Sequence, residues 1–105
     1  MSDGKFSVQV LYPASAAPTF NMDYYINVHV KKATDAFKDA GILSCIVSQL
    51  DPSSGYCVST MMIFESKEAV EKNMSGPVAE ELRNDVPNFS SEEPISLAGG
   101  VVSML

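Results

Sequence analysis

The stretch Phe20-Asn21-Met22-Asp23-Tyr24-Tyr25, followed after three residues by His29, decides how the chain reads. Asn21 suits a helix N-cap, because its side-chain oxygen accepts from a free amide one turn on. Asp23 complements the positive end of the helix dipole. Tyr25 and His29 stand four apart and so share a helical face. The apolar stripe runs from Met22 through Tyr25, Ile26, His29, Val30, Ala33 and Phe37 to Ala40, while Asp23, Asn27, Lys31, Thr34, Asp35 and Lys38 fall opposite. This spacing predicts an amphipathic helix from Met22 to about Ala40. Gly41 stands where a helix C-cap glycine belongs.

Working outward, residues 5 to 12 alternate, with Phe6, Val8, Val10 and Tyr12 on one face and Lys5, Ser7, Gln9 and Leu11 on the other. That is a strand pattern. Pro13 to Pro18 reads as a small-residue loop. Leu43 to Leu50 and Tyr56 to Glu65 are strand-like runs, joined by the turn chemistry of Asp51-Pro52-Ser53-Ser54-Gly55. Ser66 caps a second helix through Glu68, Val70 and Met74. Gly76-Pro77 interrupts it, and Pro77 suits the first position of a renewed helix ending near Arg83. Ile95 to Met104 is a last strand, with Gly99-Gly100 a bulge or close-approach site.

The order is β-α-β-β-α-β, a ferredoxin-like α+β arrangement of a four-stranded antiparallel sheet with two helices on one face. The second face must be buried elsewhere or stay wet. Its expected members are mixed: Gln9, Leu11, Met61 and Ile63. Such a face points to dimerisation, two sheets meeting around a central space.

The chain has 105 residues, 46% hydrophobic and 19% charged, which suits one globular domain with a modest core. A net charge of −6 argues against a nucleic-acid partner and an anionic membrane surface, both of which need clustered Lys and Arg. No apolar segment approaches a membrane span. The start, Met-Ser-Asp-Gly-Lys, lacks a secretory pattern, so the expectation is a cytoplasmic protein. Cys45 and Cys57 are expected to be free thiols, since the hairpin places Cys45 opposite about position 61. With one histidine they are too few for a structural zinc site. Glycine-rich phosphate loops are missing, so no nucleotide or nicotinamide cofactor is expected.

Phe20, Asn21, Asp23-Tyr24-Tyr25 and His29, with Asp85-Val86-Pro87-Asn88-Phe89 and then Glu93-Pro94, resemble the EthD-like family of the dimeric α/β-barrel superfamily. The likeness spans the element order of the whole chain, residues 1–105. It implies a homodimer with a pocket on each subunit, lined partly by the first helix and the last loop. The family follows its histidine with an apolar residue, proline and leucine. Val30-Lys31-Lys32 stand here instead, and the missing proline implies a straight helix. Haem-degrading relatives depend on a tryptophan, and this chain has none.

His29 and Tyr25 are the candidate catalytic pair. Tyr24, Gln9, Asp85, Asn88 and Phe89 are the candidate substrate-binding residues. Each has a plainer reading. His29 on the apolar stripe reads as a hydrogen-bonded core histidine or as an acid or base at the pocket mouth. The base role needs a partner for the ring, from Tyr25 or the Asp85 loop. Tyr25 donates its phenol to a ligand or simply packs. Tyr24 also reads as a sheet or interface contact, and Asp85 and Asn88 as turn-makers.

Three functions fit these residues. The first is a cofactor-free enzyme that cyclises, dehydrates or isomerises a small, apolar, oxygenated molecule by proton transfer, the substrate class that the resemblance implies. The second is an accessory or carrier protein serving a separate oxidoreductase, like the family's name-giving members. The third is a dimeric stress-response protein without a small-molecule ligand.

Overall fold

The computed structural model describes residues 4–105. Strand β1 (Phe6–Pro13), helix α1 (22–37), strands β2 (Ile42–Gln49) and β3 (Tyr56–Phe64), helices α2 (Lys67–Met74) and α3 (Pro77–Asp85), and strand β4 (Ile95–Gly100) follow the predicted order. They form a four-stranded antiparallel sheet in the order β2-β3-β1-β4. The local signals act as read. Asn21 Oδ1 accepts from the Tyr24 amide at 3.1 Å, and Ser66 Oγ from that of Ala69 at 3.0 Å. Pro77 opens α3. Gly41 takes φ +107°, and a Cβ there would stand 2.9 Å from that of Ala69. A side chain is strained there, but this glycine is not the helix cap: α1 ends at Phe37 with Lys38 as its C-cap, short of the expected Ala40, and Gly41 serves the turn into β2.

β1 alternates as expected. Phe6, Val8, Val10 and Tyr12 stand opposite Phe64, Met62, Thr60 and Val58 of β3, and this side of the sheet carries the helices. The other side holds Gln9, Leu11, Met61 and Ile63 with the exposed Ile46, Ile95 and Leu97, the mixed second face predicted above. Cys45 pairs with Met62, so it is out of register with Cys57, and both thiols are free.

Four further details differ from the sequence reading. Ala14–Thr19 is a 3₁₀ helix rather than an irregular loop. β4 stops at Gly100 instead of Met104: its ladder with β1 runs from Leu11–Ile95 to Phe6–Gly100, and only one further backbone bond follows, from the Val101 amide to the Lys5 carbonyl at 2.9 Å. Gly99 and Gly100 keep regular register and meet nothing within 4 Å of a built Cβ. The irregularities fall at Tyr12/Pro13 and Ile42/Ser44.

The fourth difference is within α1, which is not uniform. Tyr25–Val30 forms a π segment between two α-helical stretches, Met22–Tyr24 and Lys31–Phe37. The buried residues of α1 are Tyr25, His29, Ala33 and Phe37, a strict four-residue step, and Ile26 is 45% exposed. In a regular α-helix positions four apart drift by about 40° per step. The wider π turn offsets that drift and leaves Ile26 outside. Such segments are rare and concentrate at functional sites.

The core divides into two clusters. Tyr12, Ala16, Tyr25, Cys57, Val58, Val86 and Phe89 form one, and Val8, Ala33, Phe37, Met62, Phe64 and Val70 the other. No helix among the described residues is long and apolar enough to cross a membrane.

Candidate functional site

A cavity of about 380 Å³ lies between the helices and the sheet, along the seam of the two core clusters. Its walls are mostly apolar, with Val8, Met62, Phe37 and Leu82 among them. Tyr25, His29, Thr60, Arg83 and Ser96 interrupt them with polar atoms. This is the common make-up of a small-molecule site: an apolar body and a few convergent polar groups. The cavity belongs to one subunit and is separate from the open sheet face on the far side of the strands.

Asp85 organises the polar end. It sits at the last position of α3, where the chain turns into the 3₁₀ segment Val86–Asn88. Its Oδ2 lies 3.0 Å from His29 Nδ1. Its Oδ1 accepts from the Tyr24 hydroxyl at 2.6 Å and from Asn88 Nδ2 at 2.9 Å. The last loop is tied to the start of α1 by the Asn21 amide, which donates to the Phe89 carbonyl at 2.9 Å. Tyr24, His29, Asp85 and Asn88 are therefore held together by backbone as well as side chains.

The carboxylate accepts the Nδ1 proton of His29 and directs the lone pair to Nε2, which bonds no described residue. Burial lowers the pKa of His29, and the hydrogen bond and charge of Asp85 offset this only in part. The imidazole is thus neutral near pH 7, the form a base requires. Burial works against an ionised Asp85, but the bonds from Tyr24, Asn88 and His29 together outweigh it and hold its carboxyl below the usual range. The imidazole stacks on Tyr25 at 5.3 Å and meets Phe89 edge-on at 4.6 Å.

Tyr25 is 2% exposed, and its hydroxyl shares a 2.5 Å hydrogen bond with Thr60 Oγ1. Burial raises the phenol's pKa, with the Thr60 bond in partial opposition, so it remains a neutral donor. Tyr25 and Thr60 both line the cavity.

Of the seven residues named from sequence, His29 and Tyr25 reach the cavity wall. Tyr24, Asp85, Asn88 and Phe89 form a supporting layer behind them. Gln9 does not join the cluster. It stands on the other face of the sheet and donates to Ser59 Oγ at 3.2 Å. Thr60 and Arg83 were not read as site residues. Thr60 is the one polar residue among the inward positions Val58, Thr60, Met62 and Phe64, a break in pattern that marks it. Arg83 is the only arginine in the chain.

These pKa directions predict how stability changes with pH. Between its ordinary pKa of 6.5 and its lower folded value, His29 binds a proton more readily in the unfolded chain, so stability falls as pH drops below about 6.5. Asp85 stabilises fully above its ordinary 3.8, and this is lost as pH falls through its lower folded value. The urea midpoint is expected to decline in two stages, with His29→Gln removing the upper one. A midpoint that rises from pH 7 to pH 5 would contradict this account. The single histidine also gives one imidazole signal in NMR, expected to report an Nδ1–H tautomer and a pKa below 6.5.

No protein-family model matches the chain, and no curated protein matches it. Among solved structures it is similar to an EthD-like protein from Ralstonia eutropha JMP134. The identity is 20% and the TM-score 0.72, over 95% of this chain and 94% of that one. It is similar to a monooxygenase from Streptomyces coelicolor, solved in complex with nanaomycin D, at 17% identity and TM-score 0.70, over 97% and 90% of the two chains. A hydroxynitrile lyase from Passiflora edulis matches at 11% identity and TM-score 0.69, over 97% of each chain. At these identities the likeness establishes the fold alone, a ferredoxin-like β-α-β-β-α-β chain with a four-stranded antiparallel sheet. EthD-like proteins are among its structural neighbours, one neighbour from Bacteroides fragilis is described as dimeric and of unknown function, and the neighbours' activities differ widely.

Proposed function

We propose that this chain is a single-domain, EthD-like enzyme that catalyses cofactor-free proton transfer on a small, apolar, oxygenated molecule in the cavity. The carrying observation is the Asp85–His29 pair beside an apolar cavity, with Nε2 unbonded. In this reading Nε2 removes a proton from the carbon next to a carbonyl. The imidazolium that forms is stabilised by Asp85, whose charge Tyr24 and Asn88 hold in place. The hydroxyls of Thr60 and Tyr25 share one hydrogen bond; in this reading Thr60 is its donor, which frees the phenol's own proton for the developing enolate oxygen. Returned to another carbon, the proton gives isomerisation; delivered to a β-hydroxyl as its C–O bond breaks, it gives dehydration with water leaving; delivered to the oxygen of a second carbonyl that the enolate carbon attacks, it gives ring closure. Apolar walls strengthen these electrostatic effects by excluding water.

The homodimer is part of the proposal. Ile46, Ile95 and Leu97 are 59%, 45% and 52% exposed on the open sheet face, the surface a second copy would cover.

The test is deuterium exchange into 2-tetralone, whose α-proton is activated by one carbonyl. The native protein is expected to catalyse it and His29→Ala to slow it by roughly 10²–10⁴-fold. The likeness to an EthD-like protein supports a second reading, an accessory protein that carries a ligand for a separate oxidoreductase. Ligand binding that survives His29→Ala, with no exchange in the native protein, would favour the carrier.

A further inference from the structure

The only arginine and the only histidine of this chain line the same cavity. Arg83 precedes Asp85 by two residues on α3. It is exposed yet contributes to the cavity wall, so it stands at the rim, while His29 and Tyr25 are buried inside. Its one hydrogen bond runs from Nη1 to the Met74 carbonyl at 3.5 Å, the outer limit of such a contact. The cations of α1 are differently employed: Lys31 pairs with Asp35 at 2.8 Å and Lys32 with Glu81 at 2.6 Å. Among the described residues Arg83 is the only permanently charged group on the cavity wall. Asp85 lies behind the wall, its oxygens turned to Tyr24, Asn88 and His29.

A guanidinium presents a planar fork of donors that matches the two oxygens of a carboxylate. A neutral apolar ligand has no use for one at the rim. An acidic ligand needs it, because a protein of net charge −6 otherwise repels anions. We propose that the ligand is an apolar ring compound carrying a carboxylate, bound through that group by Arg83, with its ring extending inward toward His29 and Tyr25. This deepens the reading of the cavity as the reacting site and names the chemical class it accepts.

The test compares 2-naphthoate with 2-naphthamide, similar in shape and different in charge, by NMR titration of the purified protein. Naphthoate is expected to bind roughly 10-fold more tightly than the amide at low salt, and to lose that advantage as salt rises. Arg83→Gln is expected to abolish the preference by weakening naphthoate far more than the amide, and Arg83→Lys to retain part of it. Equal affinity of the two probes, binding of neither, or a preference that survives Arg83→Gln overturns the assignment. The proton-transfer reading fails on a different observable. Exchange into neutral 2-tetralone reports on His29, and naphthoate selectivity reports on Arg83, so either can fail while the other stands.

Discussion

Asp85→Asn is expected to slow proton exchange by roughly 10²–10⁴-fold while leaving the chain folded, because it reverses the tautomer of His29. The argument turns on which way the new amide faces. Oδ1 of Asp85 accepts two donors, the Tyr24 hydroxyl and Asn88 Nδ2. An asparagine keeps both only by placing its carbonyl oxygen there, which leaves its NH₂ toward His29 Nδ1. The imidazole must then accept at Nδ1 and carry its proton on Nε2, where the substrate needs a lone pair. Nitrogen NMR of the single histidine reads this directly, as a change from the Nδ1–H to the Nε2–H form. Unchanged exchange with a reversed tautomer would remove His29 from the chemistry. An unchanged tautomer would show that Asp85 does not orient it.

Phe89→Ala is expected to destabilise the fold by about 3–5 kcal/mol, the usual cost of deleting a buried aromatic ring. Phe89 is 2% exposed. Its ring lies 4.6 to 6.1 Å from those of His29, Tyr25, Phe20, Tyr12 and Tyr24, so truncation opens a void that touches most of the first core cluster. The void adjoins the cavity lined by Tyr25 and His29 and loosens the edge-on contact that backs the imidazole. Urea denaturation checks the magnitude. Phe89→Leu, which keeps most of the volume, is expected to recover much of the loss. A deficit under 1 kcal/mol for Phe89→Ala would mean that the neighbouring rings collapse into the gap.

The two substitutions separate what the last loop does. In the proposed reading Asp85 acts on the chemistry through its hydrogen bond to His29, while Phe89 acts on stability through many ring contacts. The backbone bond from Asn21 to Phe89 explains why both functions lie in one loop. It fastens the start of the first helix to the residues that must reach Tyr24, Tyr25 and His29.

The identity and order of the strands and helices were legible in the sequence because their causes are local. Alternation in residues 5 to 12 set the two faces of β1. Asn21 and Ser66 marked helix starts and Pro77 marked a restart, while Gly41 marked the turn into β2 rather than the helix stop, which falls at Phe37. The pairing of Tyr25 with His29 was equally legible from spacing. Tertiary structure decided what depends on distant partners. The π segment at Tyr25–Val30 is chosen by the packing of α1 on the sheet, so a regular helical wheel misplaces Ile26. β4 ends where its ladder with β1 runs out, one backbone bond past Gly100. The bond between Asp85 and His29 spans 56 positions, and the cavity that joins His29 and Tyr25 to Thr60 and Arg83 exists only once the helices close over one face of the strands. Residue type and short spacing carry the first kind of information. Which polar side chains face one another is settled by the register of the sheet and the closure of the helices over it.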